Sequence, residues 1–348
     1  MEKARFKWVL RERNRKIAAK TEVFTEQQAR RVRSFHSSFK EYSPTPLIEL
    51  TSLAQHLGIK NLFVKDESYR FELNAFKVLG GSFAIGSYIA NELGEDIDDL
   101  PYMRLVSDEV RSLLGSKTFI TTTDGNHGRG VAWTANRLKQ QAIVYMPQGS
   151  AAERLANIRA EGAQAEITDM NYDDTVRYTS ELAQKNGWII VQDTAWDGYT
   201  RIPLWIMQGY MTMALEAYEQ LPVKPTHIFL QAGVGSLAGS VQGFFADIYG
   251  SSCPLTFIVE PKGADCLYQT AAANDGSLHS VTGRLETIMA GLACGEPNSI
   301  AWEILGNLSD GFISCPDYTA AQGMRILGNP LAGDTKVSAG ESGAATVG

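Results

Sequence analysis

Three short segments of this 348-residue chain combine reactive side chains with glycines in patterns suited to chemistry. In Leu73-Asn74-Ala75-Phe76-Lys77-Val78-Leu79-Gly80-Gly81 a lysine opens a helical stretch between apolar neighbours. Desolvation and the positive end of a helix both disfavour an ammonium there. The neutral amine is a nucleophile suited to a Schiff base. In Thr121-Thr122-Thr123-Asp124-Gly125-Asn126-His127-Gly128-Arg129-Gly130 three glycines accompany an acid, an amide and an imidazole. Such glycines let backbone N–H groups approach a ligand; they also suit an ordinary Asp-Gly turn with an Asx cap. The third segment is Gln231-Ala232-Gly233-Val234-Gly235-Ser236-Leu237-Ala238-Gly239. Its glycine N–H groups at a helix start would cradle a phosphate. It equally fits the dinucleotide fingerprint G-x-G-x-x-A, with Glu260 ending the next strand, so a nicotinamide or flavin reading stands beside it.

The elements around these loops alternate. Strand-like apolar runs fall near 61–65, 118–122, 142–146, 164–168, 188–192, 226–231 and 255–260. Amphipathic stretches at 78–92, 128–139, 151–161, 172–186 and 202–219 separate them. That order predicts an α/β fold with mostly parallel twisted sheets flanked by helices. In such sheets ligands sit at the carboxyl ends of strands. All three loops lie at strand-to-helix turns. An amine nucleophile, an asparagine-bearing polar loop and one phosphate cradle together are what pyridoxal phosphate requires. A dinucleotide enzyme usually places its fingerprint in the first βα unit and has no use for Lys77.

Composition removes other classes. With a net charge of −7 and a pI near 5.4 the chain lacks the basic face that nucleic-acid binding demands. No run of about 18 apolar residues spans a membrane, and no apolar signal-peptide core opens the chain. Cys253, Cys266, Cys294 and Cys315 form no C-x-x-C pair, so no metal site is expected. A reduced, cytoplasmic enzyme with buried thiols is the expectation. Residues 1–20 carry eight basic against two acidic side chains; residues 1–42 are expected to form a solvated helical arm that packs on a partner subunit. Within it, 25–42 reads as an amphipathic helix capped by Thr25, and Ser43-Pro44-Thr45-Pro46-Leu47 must be extended.

The strings Pro44-Thr45-Pro46-Leu47, Phe76-Lys77, Gly125-Asn126-His127-Gly128 and Gly233-Val234-Gly235-Ser236 resemble the tryptophan-synthase-like, fold type II group of pyridoxal-phosphate enzymes. Lys65-Asp66-Glu67-Ser68, Asn74-Ala75-Phe76-Lys77, Thr122 to Gly130, Asp169-Met170-Asn171-Tyr172-Asp173-Asp174, Gln192 to Tyr199 and Met289 to Pro297 narrow the resemblance to the diaminopropionate ammonia-lyases. The resemblance implies two interleaved α/β lobes over 43–348, the smaller near 80–195, and a homodimer. It implies α,β-elimination of 2,3-diaminopropionate, L and D, to pyruvate and two ammonia molecules. A serine or threonine dehydratase-like lyase and an inactive, truncated cofactor-binding remnant are the alternatives. Lys77 would hold the cofactor and serve as base on the L-substrate. Asn126 would face the cofactor's phenolic oxygen. Gly233, Val234, Gly235, Ser236, Leu237 and Gly239 would hold its phosphate. Asp124 would pair with the second ammonium or take a proton from the opposite face, admitting the D-isomer. Asp193 is a second candidate for the substrate's amino group. His127 reads as an orienting or turn histidine, and Cys266 and Cys294 as buried thiols or a redox-sensitive pair. Residues 340–348 read as the first turns of a helix. Relatives continue beyond that point and supply there the partner of the pyridine nitrogen, so a truncated chain is expected, with Glu341 near the ring.

Overall fold

The computed structural model describes residues 6–12, 21–123 and 125–348. Its strands are β1 (Lys7–Leu10), β2 (Leu47–Glu49), β3 (Phe63–Lys65), β4 (Thr118–Thr122), β5 (Gln141–Met146), β6 (Gln164–Ile167), β7 (Ile189–Ile190), β8 (His227–Gln231), β9 (Leu255–Pro261) and β10 (Gly311–Cys315). The helices are α1 (Glu26–Ser37), α2 (Thr51–Leu57), α3 (Lys77–Leu93), α4 (Tyr102–Leu105), α5 (Asp108–Leu114), α6 (Asn126–Arg137), α7 (Ala152–Ala160) and α8 (Tyr172–Asn186). They continue with α9 (Arg201–Gln220), α10 (Ser236–Tyr249), α11 (Cys266–Ala273), α12 (Ser299–Leu308), α13 (Asp317–Gly328) and α14 (Glu341–Ala344). The chain divides into two units, one of residues 23–43 and 71–212, the other of residues 1–22, 44–70 and 213–348.

The smaller unit is built on a parallel sheet in the order β6-β5-β4-β7. β4 is rich in β-branched residues and buried over its last four positions, as a central parallel strand should be. Thr25 caps α1 as its spacing predicts, accepting the Gln28 amide at 3.2 Å. The apolar face of α1 then closes an aromatic cluster in which Phe35, Phe39, Phe71 and Trp133 meet edge-on or tilted at 5.4–5.9 Å. That burial puts α1 in this unit, which is therefore wider than the expected span near 80–195. Two glycines let helices approach closely. A Cβ on Gly130 of α6 would stand 2.8 Å from the Val78 Cα of α3. One on Gly209 of α9 would stand 2.4 Å from the Leu79 carbonyl oxygen.

The larger unit carries the sheet β1-β10-β9-β8 and the antiparallel pair β2-β3. β8, β9 and β10 run parallel, and β1 adds antiparallel at the edge, Lys7 opposite Ser314 and Leu10 opposite Gly311. Here the expected helical arm is corrected. Residues 7–10 are a strand, because Trp8 and Val9 favour extended backbone and β10 offers a free edge. Residues 1–5 and 13–20 lie outside the described residues. A buried ionic cluster fixes the segment after β3. The Arg70 guanidinium forks onto Glu216 at 2.7 and 2.8 Å and onto Glu67 at 2.8 Å, and Lys65 reaches Glu216 at 2.8 Å. Burial pushes the Glu216 carboxyl up, but Arg70 and Lys65 hold it down at about 2. At the C-terminus, α14 is a single turn whose last residue, Ala344, and C-cap, Ala345, are buried, Ala345 in one core cluster with Ala320 of α13. Among the described residues no helix is long and apolar enough to cross a membrane.

Candidate active site

In the smaller unit the approach to Lys77 is tightly specified. Phe71, Glu72 and Asn74 all take left-handed backbone angles, φ 49–59°, a conformation that non-glycine residues hold only where the surroundings enforce it. Phe76 then caps α3 without a side-chain hydrogen bond, and Lys77 is the first helical residue. The expectation of apolar surroundings is half right. The Lys77 Nζ lies over the Phe76 ring, 6.0 Å from its centroid, yet it also forms an ion pair with Asp193. A carboxylate thus opposes the desolvation and helix-end effects that disfavour an ammonium.

Asp193 follows β7 and is buried. Burial alone pushes its carboxyl up, but the field of Lys77 outweighs this and holds it at about 2. Tyr172, at the start of α8, donates to the second carboxylate oxygen at 3.4 Å. Gln192 fixes the same turn to β4: its side-chain oxygen accepts the Thr122 amide at 2.9 Å, and its amide donates to the Tyr172 hydroxyl at 2.8 Å. His127 donates from Nε2 to the Val191 carbonyl at 2.8 Å. Burial holds its imidazole below the usual range, so Nδ1 is a bare acceptor, buried and unpartnered among the described residues. The hydroxyl of Tyr210 in α9 is likewise buried and unpartnered among the described residues. An unpaired buried polar group costs roughly 1–3 kcal/mol, and native structures hold few of them.

The other predicted residues of this unit are placed as follows. Asn126 opens α6 with an exposed side chain. Asp124 lies outside the described residues.

The larger unit holds the glycine loop. Gly235, with φ +103°, turns the chain from β8 into α10, which starts without a side-chain cap. The first N–H groups of a helix have no acceptor within it, the arrangement that suits a phosphate. Asn298 secures the loop. Its amide donates to the Ser236 hydroxyl at 2.8 Å, its backbone N–H to the Val234 carbonyl at 2.8 Å, and its side-chain oxygen caps α12. Gly233 is close-packed: a Cβ there would stand 3.2 Å from the Leu292 Cα and 3.3 Å from the Cys294 sulfur. The Cys266 Sγ lies 3.9 Å from the Gly233 carbonyl oxygen, and all four cysteines are free thiols. Ser342 accepts the Gly291 amide at 3.1 Å, which ties the loop at 289–295 to α14, the helix that Glu341 opens.

Residues 39–348 match the model of the family described as pyridoxal-phosphate dependent enzyme, and the chain belongs to that family. It is 52% identical over 330 residues to the diaminopropionate ammonia-lyase of Escherichia coli (strain K12), covering 94% of this chain and 81% of that one. The crystal structure of selenomethionine-labelled holo diaminopropionate ammonia lyase from Escherichia coli matches with a TM-score of 0.91 at 49% identity, over 99% of this chain and 85% of that one. The structure of that enzyme with an aminoacrylate–pyridoxal phosphate reaction intermediate matches with a TM-score of 0.89 at 49% identity, over 99% and 85%. The residues present fit the family's cofactor. A lysine amine stands at a fixed helix end, and an uncapped helix start behind a left-handed glycine is suited to an anion.

Tyr172, Gln192, Tyr210 and Asn298 were not singled out by their sequence. Tyr172 and Gln192 stand within the strings that carry the resemblance, and Asn298, just before the apolar run of α12, carries the local signal of an N-cap.

Proposed function

We propose that this chain is a pyridoxal-phosphate-dependent carbon–nitrogen lyase acting on 2,3-diaminopropionate, releasing pyruvate and two ammonia molecules. The observation that carries the reading is the ion pair between the half-buried Lys77 and the buried Asp193. It sets a base and an ammonium-binding carboxylate side by side, and a diamino acid needs both. The bound cofactor supplies an electron sink for the carbanion left when the α-proton departs.

The chain's own residues do the rest. Lys77 carries the cofactor and, once released from it, takes the α-proton of the L-isomer. Asp193, charged at any pH above about 2, exchanges its lysine partner for an ammonium of the substrate. Tyr172 and Gln192 keep that carboxylate aimed. Asp124 takes the proton of the D-isomer or binds the second ammonium. Asn126 would face the phenolic oxygen of the cofactor, Gly233, Val234, Gly235, Ser236, Leu237 and Gly239 would receive its phosphate, and Glu341 would lie near its ring. A homodimer in the cytoplasm belongs to the same reading.

The test is a visible absorbance scan of the protein loaded with pyridoxal phosphate, followed by assays of the 2-oxo acid released: pyruvate from diaminopropionate or serine, 2-oxobutyrate from threonine. A visible band with pyruvate from diaminopropionate supports the reading. A band with turnover of only serine or threonine makes the chain a dehydratase. No band refutes the cofactor assignment.

A further inference from the structure

The open edge of the smaller unit's sheet carries a cavity that has no role in the reaction derived above. In the order β6-β5-β4-β7 the last strand is two residues long, and no strand lies on its outer side among the described residues. A cavity of about 690 Å³ runs along it, lined entirely by residues of this unit. Tyr88 of α3, Trp188, Trp196 and Tyr199 give its wall four rings, each half-buried. The wall is preformed. Trp196 and Tyr199 stack with 4.3 Å between centroids and 24° between planes. The turn between them is closed by two backbone bonds: the Tyr199 N–H donates to the Trp196 carbonyl at 2.9 Å and the Trp196 N–H to the Tyr199 carbonyl at 3.3 Å. Gly198, with φ +80°, supplies its left-handed position. The Tyr199 hydroxyl is held twice, donating to the Ile190 carbonyl and accepting the Gln192 N–H, both at 2.9 Å. Tyr88 is braced edge-on against Phe119 at 5.7 Å.

Those bonds also exclude one kind of occupant. The Ile190 carbonyl and the Gln192 N–H point away from β4 and are the groups an added strand would pair with, and the Tyr199 hydroxyl engages both. What enters must be recognised by the rings and side chains instead. Charge narrows the class. Asp197, at the second position of the turn, is the one charged residue among the described residues that line the cavity, and no lysine, arginine or histidine accompanies it. The faces of aromatic rings are the negative side of their quadrupole. Four rings and a carboxylate repel phosphates and carboxylic acids and attract a cation. A bare metal ion would want several oxygen ligands and finds one carboxylate. A cation on a small apolar body suits the whole wall: the ring faces take its charged head, and Ile189 and Ile190 take its carbons. We infer that this cavity binds a small organic ammonium ion, held by the rings of Tyr88, Trp188, Trp196 and Tyr199 and by the charge of Asp197. The inference does not rest on the reaction proposed above.

The probe is choline, added to the full chain loaded with pyridoxal phosphate. A quaternary ammonium cannot form a Schiff base, so it does not react with the cofactor. Its uncharged isostere, 3,3-dimethylbutan-1-ol, has nearly the same shape and serves as the control. Trp188 and Trp196 line the cavity, so binding is followed by tryptophan fluorescence and independently by titration calorimetry. Choline should bind saturably and about 10-fold more tightly than the alcohol. Asp197→Asn, which suits the same turn, should weaken choline about 3-fold and leave the alcohol unchanged. Trp196→Leu removes half of the stacked pair and should weaken choline about 10-fold. The visible band and melting temperature of each variant report whether its fold is intact; if Trp196→Leu fails to fold, Asp197→Asn decides. Equal affinity for choline and the alcohol would make the cavity a merely apolar crevice and overturn the inference. Choline binding that neither variant alters would place the cation elsewhere, and an absence of saturable binding would leave the cavity without this ligand class; either result refutes the inference.

Discussion

Replacing Asp193 by asparagine keeps the shape of the turn after β7 and removes one charge. The cost follows from titration. The Asp193 carboxyl is held at about 2, against 3.8 for an unperturbed aspartate. One pKa unit corresponds to about 1.4 kcal/mol, so the charged side chain stabilises the fold by about 2 kcal/mol at neutral pH. The sign is fixed by the direction of the shift. A carboxyl whose folded-state pKa lies below its unfolded value contributes fully above about pH 4. The contribution is lost as the pH falls through about 2. Asp193→Asn should therefore unfold at lower urea than the parent at pH 7, by roughly 0.7–1 M for a slope of about 2–3 kcal/mol/M. At pH 3 the gap should shrink to about 1 kcal/mol. The assay is urea unfolding of the cofactor-free protein, followed by circular dichroism at both pH values. A gap that is absent at pH 7, or of equal size at both, would show that the Lys77–Asp193 attraction does not hold the turn. With the cofactor bound, the same variant should raise KM for diaminopropionate more than it lowers kcat, as loss of a substrate anchor would.

Lys77→Ala should abolish the visible band and the elimination together, and borohydride reduction of the parent followed by peptide mapping should mark Lys77; a label on another lysine would contradict the assignment. Asp124→Asn should keep the cofactor and slow the D-isomer selectively, as separate progress curves for the two isomers would reveal; equal losses would point to anchoring instead. Glu216→Gln leaves the buried Arg70 and Lys65 facing a neutral amide, and should cost about 3–5 kcal/mol in urea unfolding at pH 7. Because Glu216 titrates near 2 in the fold instead of 4.5, that penalty should diminish as the pH falls below about 4.

The smaller unit was largely legible. β4, β5, β6, α3, α8 and α9 lie within a residue or so of the expected runs, because each is long and periodic or tightly bounded by glycine and asparagine. The N-terminal strand was not. Eight basic residues in twenty suggest a solvated arm, and the four residues of β1 become a strand only because β10 presents an edge to them. The lysine, the glycine loop and Asp193 could be found one at a time from their neighbours. Their partnership could not. Lys77 and Asp193 are 116 residues apart in sequence and meet because β7 pairs with β4 after two further strands have formed on the other side. Tyr210 was invisible for a different reason. In a helix as apolar as α9 a tyrosine reads as core, and only the three-dimensional packing reveals that its oxygen is left over.

The glycine contact between α3 and α9 also bears on time. With Gly209 seated against the Leu79 carbonyl, α3 cannot tilt or slide without lifting its neighbour. Shifts of packed helices take microseconds to milliseconds, whereas a side chain changes rotamer in picoseconds to nanoseconds. The travel of the Lys77 amine is thus confined to the torsions of its own methylenes, the fast regime. Re-aiming the lysine is then never the slow event of a turnover. A rate limit in the millisecond range would have to come from bond breaking or from segments away from this helix pair.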